Sequence, residues 1–359
     1  MKKSSLMKKM LATGLAAAMI MGMTGCGSSA STETDEAADS KAASAEAASA
    51  AAATDDAELT EIDVVLDWYP NAIHTFLYQA IDEGYFEEEG LKVNPINPAE
   101  SVDAITFVAS GRAQVGLTYP SDIIQANDNG MNVKAIGTVS QKALDCMCSL
   151  KSNEDVTEDM SSLKGKKIGH SGNAIEEAVI KTVTANAGLT EDDYEMVDVG
   201  FDLITSLTTE SVDMTVGSFI NDEVPTMQNA GYDVNVYTEQ DYGVPEMYGL
   251  VMAVNGDDYE QNTEIYEGFM RACQKGFDDI KDDEDLAIEV IMKDMNSDDN
   301  PLEEDQQRQS FEILRPRLEP EGSTFMAMDD ETWQEVIDWM AEYDLIEGEV
   351  SVDDVRIAQ

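Results

Sequence analysis

Basic side chains are scarce in this chain: 22 lysines and arginines stand against 73 aspartates and glutamates, a formal net charge of −51. Phosphate-rich partners would be repelled over the whole surface. That excludes nucleic-acid binding and leaves no electrostatic attraction to an anionic membrane. Histidine is rarer still, at His74 and His170, and the cysteines are Cys26, Cys146, Cys148 and Cys273. Cys146-Met147-Cys148 has no further cysteine or histidine at ligand spacing, so no metal is expected. With Cys26 set aside, three thiols make no disulfide framework and read as small buried residues. The apolar stretch Met10 to Met23 falls short of the roughly twenty residues that a spanning helix requires.

That stretch follows Lys2, Lys3, Lys8 and Lys9, so residues 1–25 read as a signal peptide. It ends Met23-Thr24-Gly25-Cys26, which resembles a bacterial lipobox and implies cleavage before Cys26 and lipidation of its thiol. The alternative is an ordinary secretory signal cut elsewhere. Residues 26–57 are alanine, serine, threonine, aspartate and glutamate with almost nothing large to bury. Such a segment cannot offset its ordering entropy, and it is expected to be a flexible tether.

The folded part is organised around residues 66–86, LDWYPNAIHTFLYQAIDEGYF. Leu66 closes a β-type run, Asp67 to Asn71 form a turn, and from Thr75 an amphipathic helix runs to Gly84. A tight strand-to-helix turn puts Trp68, Tyr69, Asn71 and His74 at the carboxyl edge of a sheet, where open α/β proteins bind small ligands. The aromatics could instead plug the core, and His74 could instead cap its helix. Asp67 is expected to hold the turn through local N–H groups.

Strands follow at Leu91–Ile96, Gln114–Thr118 and Val133–Val139, separated by helices from Val102 and Asp122. A second round repeats the order, with strands at 167–169, 194–199, 214–217 and 234–237 and helices at 174–187 and 203–210. The expected fold is therefore α/β, two βαβ lobes joined by two hinge crossings. Lobe 1 takes residues 58–149 plus 250–359 and lobe 2 takes 150–249. The apolar segments Met147–Lys151 and Tyr248–Asn255 are read as the crossings. Extra helices at 259–281, 286–295, 303–318 and 330–345 are expected to brace one lobe, with Trp333 and Trp339 as packing residues. Four equivalent turns would line the cleft: 68–74, 119–121, 170–173 and 218–223.

Four stretches carry a family resemblance: LDWYPNAIH with GYFEEEGL, SGRAQVGL (110–117), SLKGKKIG (162–169) and VGSFINDE (216–223). Over about residues 61–320 the chain resembles periplasmic binding proteins of type II, in the group that binds thiamine pyrimidine precursors and sulfonates. The resemblance implies a lipid-anchored receptor on the extracytoplasmic face of the cell membrane. It would be a monomer delivering a flat heteroaromatic to an ABC permease and its ATPase. Ligand contacts carried over by position are Trp68, Asn71, Tyr119, Phe219 and Glu223, with Tyr69, His74, Ser171, Asn173 and Asn221 in the same turns. Glu223 could equally be a first-turn carboxylate favoured by its helix dipole.

Riboflavin, aliphatic sulfonates, taurine or nitrate are the alternative ligands. A synthase resembling the opening motif uses a lysine for pyridoxal phosphate and a histidine donor. Thr118 and Asp122 stand at those positions, so no cofactor and no enzyme activity are expected.

Overall fold

The computed structural model describes residues 59–99, 103–200, 202–298 and 300–358. The expected signal peptide (1–25), tether (26–57), lipidation site Cys26 and helix start at Val102 lie outside the described residues. Among the described residues ten strands form two five-stranded sheets. They are β1 (Thr60–Val65), β2 (Leu91–Ile96), β3 (Val115–Thr118), β4 (Val133–Ser140), β5 (Asp145–Leu150), β6 (Lys167–His170), β7 (Glu195–Asp198), β8 (Met214–Phe219), β9 (Val234–Tyr237) and β10 (Leu250–Asn255). The helices of the first round are α1 (Thr75–Asp82), α2 (Tyr85–Glu88), α3 (Asp103–Ala109) and α4 (Pro120–Asp128). Those of the second are α5 (Ala174–Asn186), α6 (Leu203–Thr208) and α7 (Glu223–Asn229). After β10 come α8 (Gly256–Gln261), α9 (Thr263–Ile280), α10 (Glu284–Val290), α11 (Glu304–Leu318), α12 (Asp330–Glu342) and α13 (Val352–Val355). None of the described helices is long and apolar enough to cross a membrane.

The two sheets have the same plan. Their orders are β2-β1-β3-β10-β4 and β7-β6-β8-β5-β9. In each, three strands run parallel and the fourth, β10 or β5, lies antiparallel to both neighbours. The repeat read from element order is thus a repeat of topology. The expected crossings are corrected, however. Met147–Lys151 lies largely within β5, and Tyr248–Asn255 largely within β10. An unbroken apolar run marks a strand covered on both faces, and Cys146 to Leu150 and Leu250 to Val254 are all buried. The chain passes between the sheets through residues 141–144 and 238–249, so β5 belongs with the second sheet rather than with a first lobe ending at 149.

The C-terminal helices do not brace one lobe alone. Phe311, Leu314 and Leu318 of α11 enter the first-sheet core, while Gln306 Nε2 reaches Asp222 Oδ1 and Thr226 Oγ1, each at 3.0 Å, beside α7. In α12, Trp333 and Trp339 are buried as packing residues, and Trp339 Nε1 donates to Thr182 Oγ1 of α5 at 2.9 Å. The same apolar cluster includes Ile123 and Ile124 of α4, so α12 fills the space behind both sheets. A helix used on two sides by two lobes has two faces to bury, which a one-lobe reading of its apolar stripe does not foresee.

Helices α1 and α9 meet closely at Gly276. A Cβ there would lie 2.2 Å from the Phe76 carbonyl oxygen and 2.9 Å from Ala80 Cβ. Gly276→Ala is therefore expected to cost about 1–3 kcal/mol by overpacking. Urea unfolding checks this, and an unchanged midpoint would show that the helices can separate freely.

Candidate functional site

The turn after β1 is built by its own side chains. Asn71 Oδ1 accepts the Ile73 N–H at 3.1 Å and Asn71 Nδ2 donates to the Tyr69 carbonyl at 3.0 Å. His74 is fully buried, and its Nδ1 accepts the Asn71 N–H at 3.2 Å. A backbone N–H can only donate, so the proton of the neutral ring sits on Nε2, 2.8 Å from Asp67 Oδ1. Asp67 Oδ2 in turn accepts from Tyr119 Oη at 3.1 Å. The expectation that Asp67 bonds local N–H groups is thus corrected: its carboxylate ties two side chains together. His74 is the support behind it: its ring fixes the turn through the Asn71 N–H but makes no capping bond to α1, and Asn71 uses both polar ends of its side chain within its own turn.

Trp68 and Tyr69 are each 46% exposed, which excludes the core-plug reading. Their rings meet edge to face, 6.0 Å apart at 89°. Tyr119, at the end of β3, faces Phe219, at the end of β8 in the other sheet. The ring centroids are 6.5 Å apart and the planes only 16° from parallel. The Phe219 N–H donates to Glu223 Oε2 at 2.7 Å. A run of contacts from His74 through Asp67, Tyr119 and Phe219 to Glu223 therefore joins the aromatic corner to the acidic one.

Asn221, between Phe219 and Glu223, is buried; its Nδ2 lies 3.3 Å from Ser310 Oγ of α11, and its Oδ1 has no hydrogen-bond partner. Ser171 and Asn173 are engaged by Glu176. Ser171 Oγ and Asn173 Nδ2 donate to Glu176 Oε1 at 2.8 and 2.7 Å, and Asn173 Oδ1 accepts the Glu176 N–H. These two build the start of α5. Gly217, at φ +87°, makes room for that carboxylate: a Cβ there would fall 2.3 Å from Glu176 Oε1. His170, buried at the end of β6, accepts the Gly172 N–H on Nδ1 at 3.2 Å.

Four further carboxylates were not foreseen as part of this place: Asp122, Asp145, Glu176 and Glu239. The Asn173-x-x-Glu176 spacing of a capping box could have flagged Glu176. Asp145 opens β5 opposite Phe219, and Glu239 follows β9; only the sheet brings Asp145 near Glu223 and Glu239 near Asp145. Among the described residues no lysine or arginine pairs with Asp67, Asp122, Asp145, Glu176, Glu223 or Glu239. Burial pushes Glu223 up to about 7, helped by Asp222, and Asp145 up to about 6, helped by Glu176. Burial also raises Glu239 well above the carboxylate range and raises Asp122, whose Oδ2 accepts from Thr118 Oγ1 at 2.6 Å. An open hollow of about 740 Å³ along the edge strand β9, lined by Lys151, Tyr237 and Tyr242, involves none of the four turns.

These acids fix the sign of a pH dependence. A carboxyl held above its unfolded value keeps its proton longer in the folded chain, so its contribution is complete near pH 4 and fades as pH rises through about 6 to 7. Relative to Glu223→Gln and Asp145→Asn, the ligand-free wild type is expected to lose melting temperature between about pH 5 and pH 8. Parallel melting curves across that range would show that neither carboxyl is desolvated.

The family described as NMT1/THI5 like matches residues 71–287. The chain is 34% identical over 301 residues to the formylaminopyrimidine-binding protein of Halalkalibacterium halodurans, covering 84% of this chain and 91% of that one. It is 31% identical over 157 residues to the 4-amino-5-hydroxymethyl-2-methylpyrimidine phosphate synthase of Aspergillus parasiticus, but that covers only 44% and 45% of the two chains. In fold it is similar to the periplasmic aliphatic sulphonate binding protein of Escherichia coli, at TM-score 0.67 and 15% identity, over 83% of this chain and 92% of that one. Two mixed five-stranded sheets with added helices are the periplasmic-binding-protein plan. The matched span and the bacterial relative together show that the chain belongs to the NMT1/THI5-like family.

Proposed function

We propose that this protein is an extracytoplasmic solute receptor that takes up a flat aminopyrimidine of the thiamine-precursor class and hands it to an ABC permease and its ATPase. A lipid on Cys26 tethers it, residues 26–57 give it reach, and residues 1–25 are removed. The observation that carries the reading is the pair of near-parallel rings, Tyr119 from one sheet and Phe219 from the other, beside Glu223. A small opening of the lobes admits a planar ring between or beside them, worth about 1 kcal/mol per stacked contact beyond area burial. Trp68 and Tyr69, half-exposed at the same edge, can fold over it. Glu223 can accept from an exocyclic amine and a ring N–H together. Closure by hinge motion at 141–144 and 238–249 lets the ligand favour the state in which it touches both lobes.

The site's chemistry argues against the sulfonate, taurine and nitrate alternatives. An anion would lie among Asp67, Asp145, Glu176 and Glu223 with no lysine or arginine paired there. Riboflavin, flat and uncharged, remains the second arm of the test. The synthase chemistry has no foothold at the positions that resemble it. Thr118 offers a hydroxyl bonded to Asp122, and neither supplies an amine or an imidazole.

A thermal-shift panel of aminopyrimidines, riboflavin, taurine and nitrate tests this. A ligand at a hundredfold excess over its Kd adds about 2.7 kcal/mol of stability. Trp68→Ala should weaken aminopyrimidine binding about fivefold, and Glu223→Gln about tenfold or more. A melt shifted by a sulfonate alone, or unchanged affinity in both variants, removes the assignment.

A further inference from the structure

Helix α11 holds both walls of the site from neighbouring faces. Gln307, Phe311, Leu314 and Leu318 stand at helical spacing along one stripe, and the three apolar side chains lie in the first-sheet core. The helix is therefore seated in the first lobe. Gln307 Oε1 accepts the Ala72 N–H at 3.1 Å, a donor that a helix start leaves without a partner of its own. Gln306, the preceding residue, stands about 100° round the helix and reaches the second lobe. Its Nε2 donates to Asp222 Oδ1 and to Thr226 Oγ1, each at 3.0 Å. One turn on, Ser310 Oγ meets Asn221 Nδ2 at 3.3 Å.

These bonds fall on one short piece of the second lobe. Asp222 is the N-cap position of α7 and Thr226 lies one turn on, so the two N–H donors of a single amide grip the first turn of that helix. Glu223 sits in the same turn and accepts the Phe219 N–H. Burial raises Asp222, and the Gln306 amide is the side chain that counters it. Phe219 and Ile220, just ahead of that turn, pack against the first-sheet core. Apolar contact is non-directional: it draws the turn towards the first lobe but leaves its height and rotation loosely set. A pair of hydrogen bonds from one planar amide sets both, because each weakens steeply when its angle is lost.

We propose that Gln306 is a positioning residue for the ligand: from the first lobe it fixes the start of α7, and with it Phe219 and Glu223, at a set distance from Tyr119, without touching the ligand itself. This rests on the reading of Tyr119, Phe219 and Glu223 as the seat of the ring. Gln306→Glu keeps the side chain's shape, removes both N–H donors and sets a carboxylate against Asp222. Gln306→Lys gives donors back. The test is stopped-flow binding of a hydroxymethyl-bearing aminopyrimidine to the full chain, with amide hydrogen exchange of the ligand-free chain beside it. Gln306→Glu is expected to raise the dissociation rate about tenfold and to leave the association rate within about twofold. Exchange should quicken over residues 219–229 and stay unchanged in β1, and Gln306→Lys should reverse both effects. An unchanged dissociation rate, unchanged exchange over 219–229, or Gln306→Lys behaving like Gln306→Glu overturns the proposal and leaves the ring seat standing. If the wild type binds no aminopyrimidine, the ring seat is wrong and the positioning role falls with it. Should Gln306→Glu fail to fold, Gln306→Ala carries the same comparison.

Discussion

Asp67 holds two side chains at once, and the arrangement of the cleft follows from that. One oxygen is fixed by the buried Nε2–H of His74 and the other takes the Tyr119 hydroxyl. A phenol whose hydroxyl is anchored behind it presents a ring face in a set direction. That face is the one Phe219 meets from the opposite sheet. His74 cannot turn away without giving up its bond to the Asn71 N–H, so a short turn of sequence sets the attitude of an aromatic platform 45 residues downstream. Buried polar networks of this kind fix geometry because each member, once satisfied, has a single low-energy position.

The two lobes are then held in register by helices that come last in the chain. Helix α11 supplies Gln307 Oε1 to the Ala72 N–H at 3.1 Å on the first-lobe side, and Gln306 and Ser310 to Asp222 and Asn221 on the second. Those three links are polar, and Phe219 and Ile220 add apolar contact with the first-sheet core. Behind the sheets α12 fills a continuous apolar layer between α4 and α5. At the front the polar links stand beside the Tyr119–Phe219 ring contact, while the layer behind is apolar.

The carboxylates at the cleft edge are the cost of this design. Buried acids without basic partners destabilise the folded chain, and the protein meets that cost with a backbone donor for Glu223 and a capping network for Glu176. The protein's general acidity alone says nothing about its ligand. The acidity of these strand ends does, because it is local and desolvated, and it opposes an anionic guest.

Much of the fold could be read from residue order. Alternating strands and helices closed by Asn129-Gly130 and Gly188 gave both rounds, and the turn after β1 was recognisable because Asp, Asn and Pro cluster between an apolar run and an amphipathic helix. Tyr119, Phe219 and Glu223 were reachable through the family resemblance, which singles them out in turns at the ends of strands. The crossings were misplaced for a physical reason: a short apolar run has no periodicity to say whether it joins lobes or lies at the centre of a sheet, and β5 and β10 do the latter. Asp145 and Glu239 stand 94 positions apart and carry no local signal. They become neighbours only because β5 runs antiparallel to β9, which puts the start of one strand beside the end of the other. Local sequence determines turns, caps and the alternation of elements, since those depend on residues a few positions apart. Which charges share a buried edge is decided by strand order and direction, and these exist only once the sheets have formed.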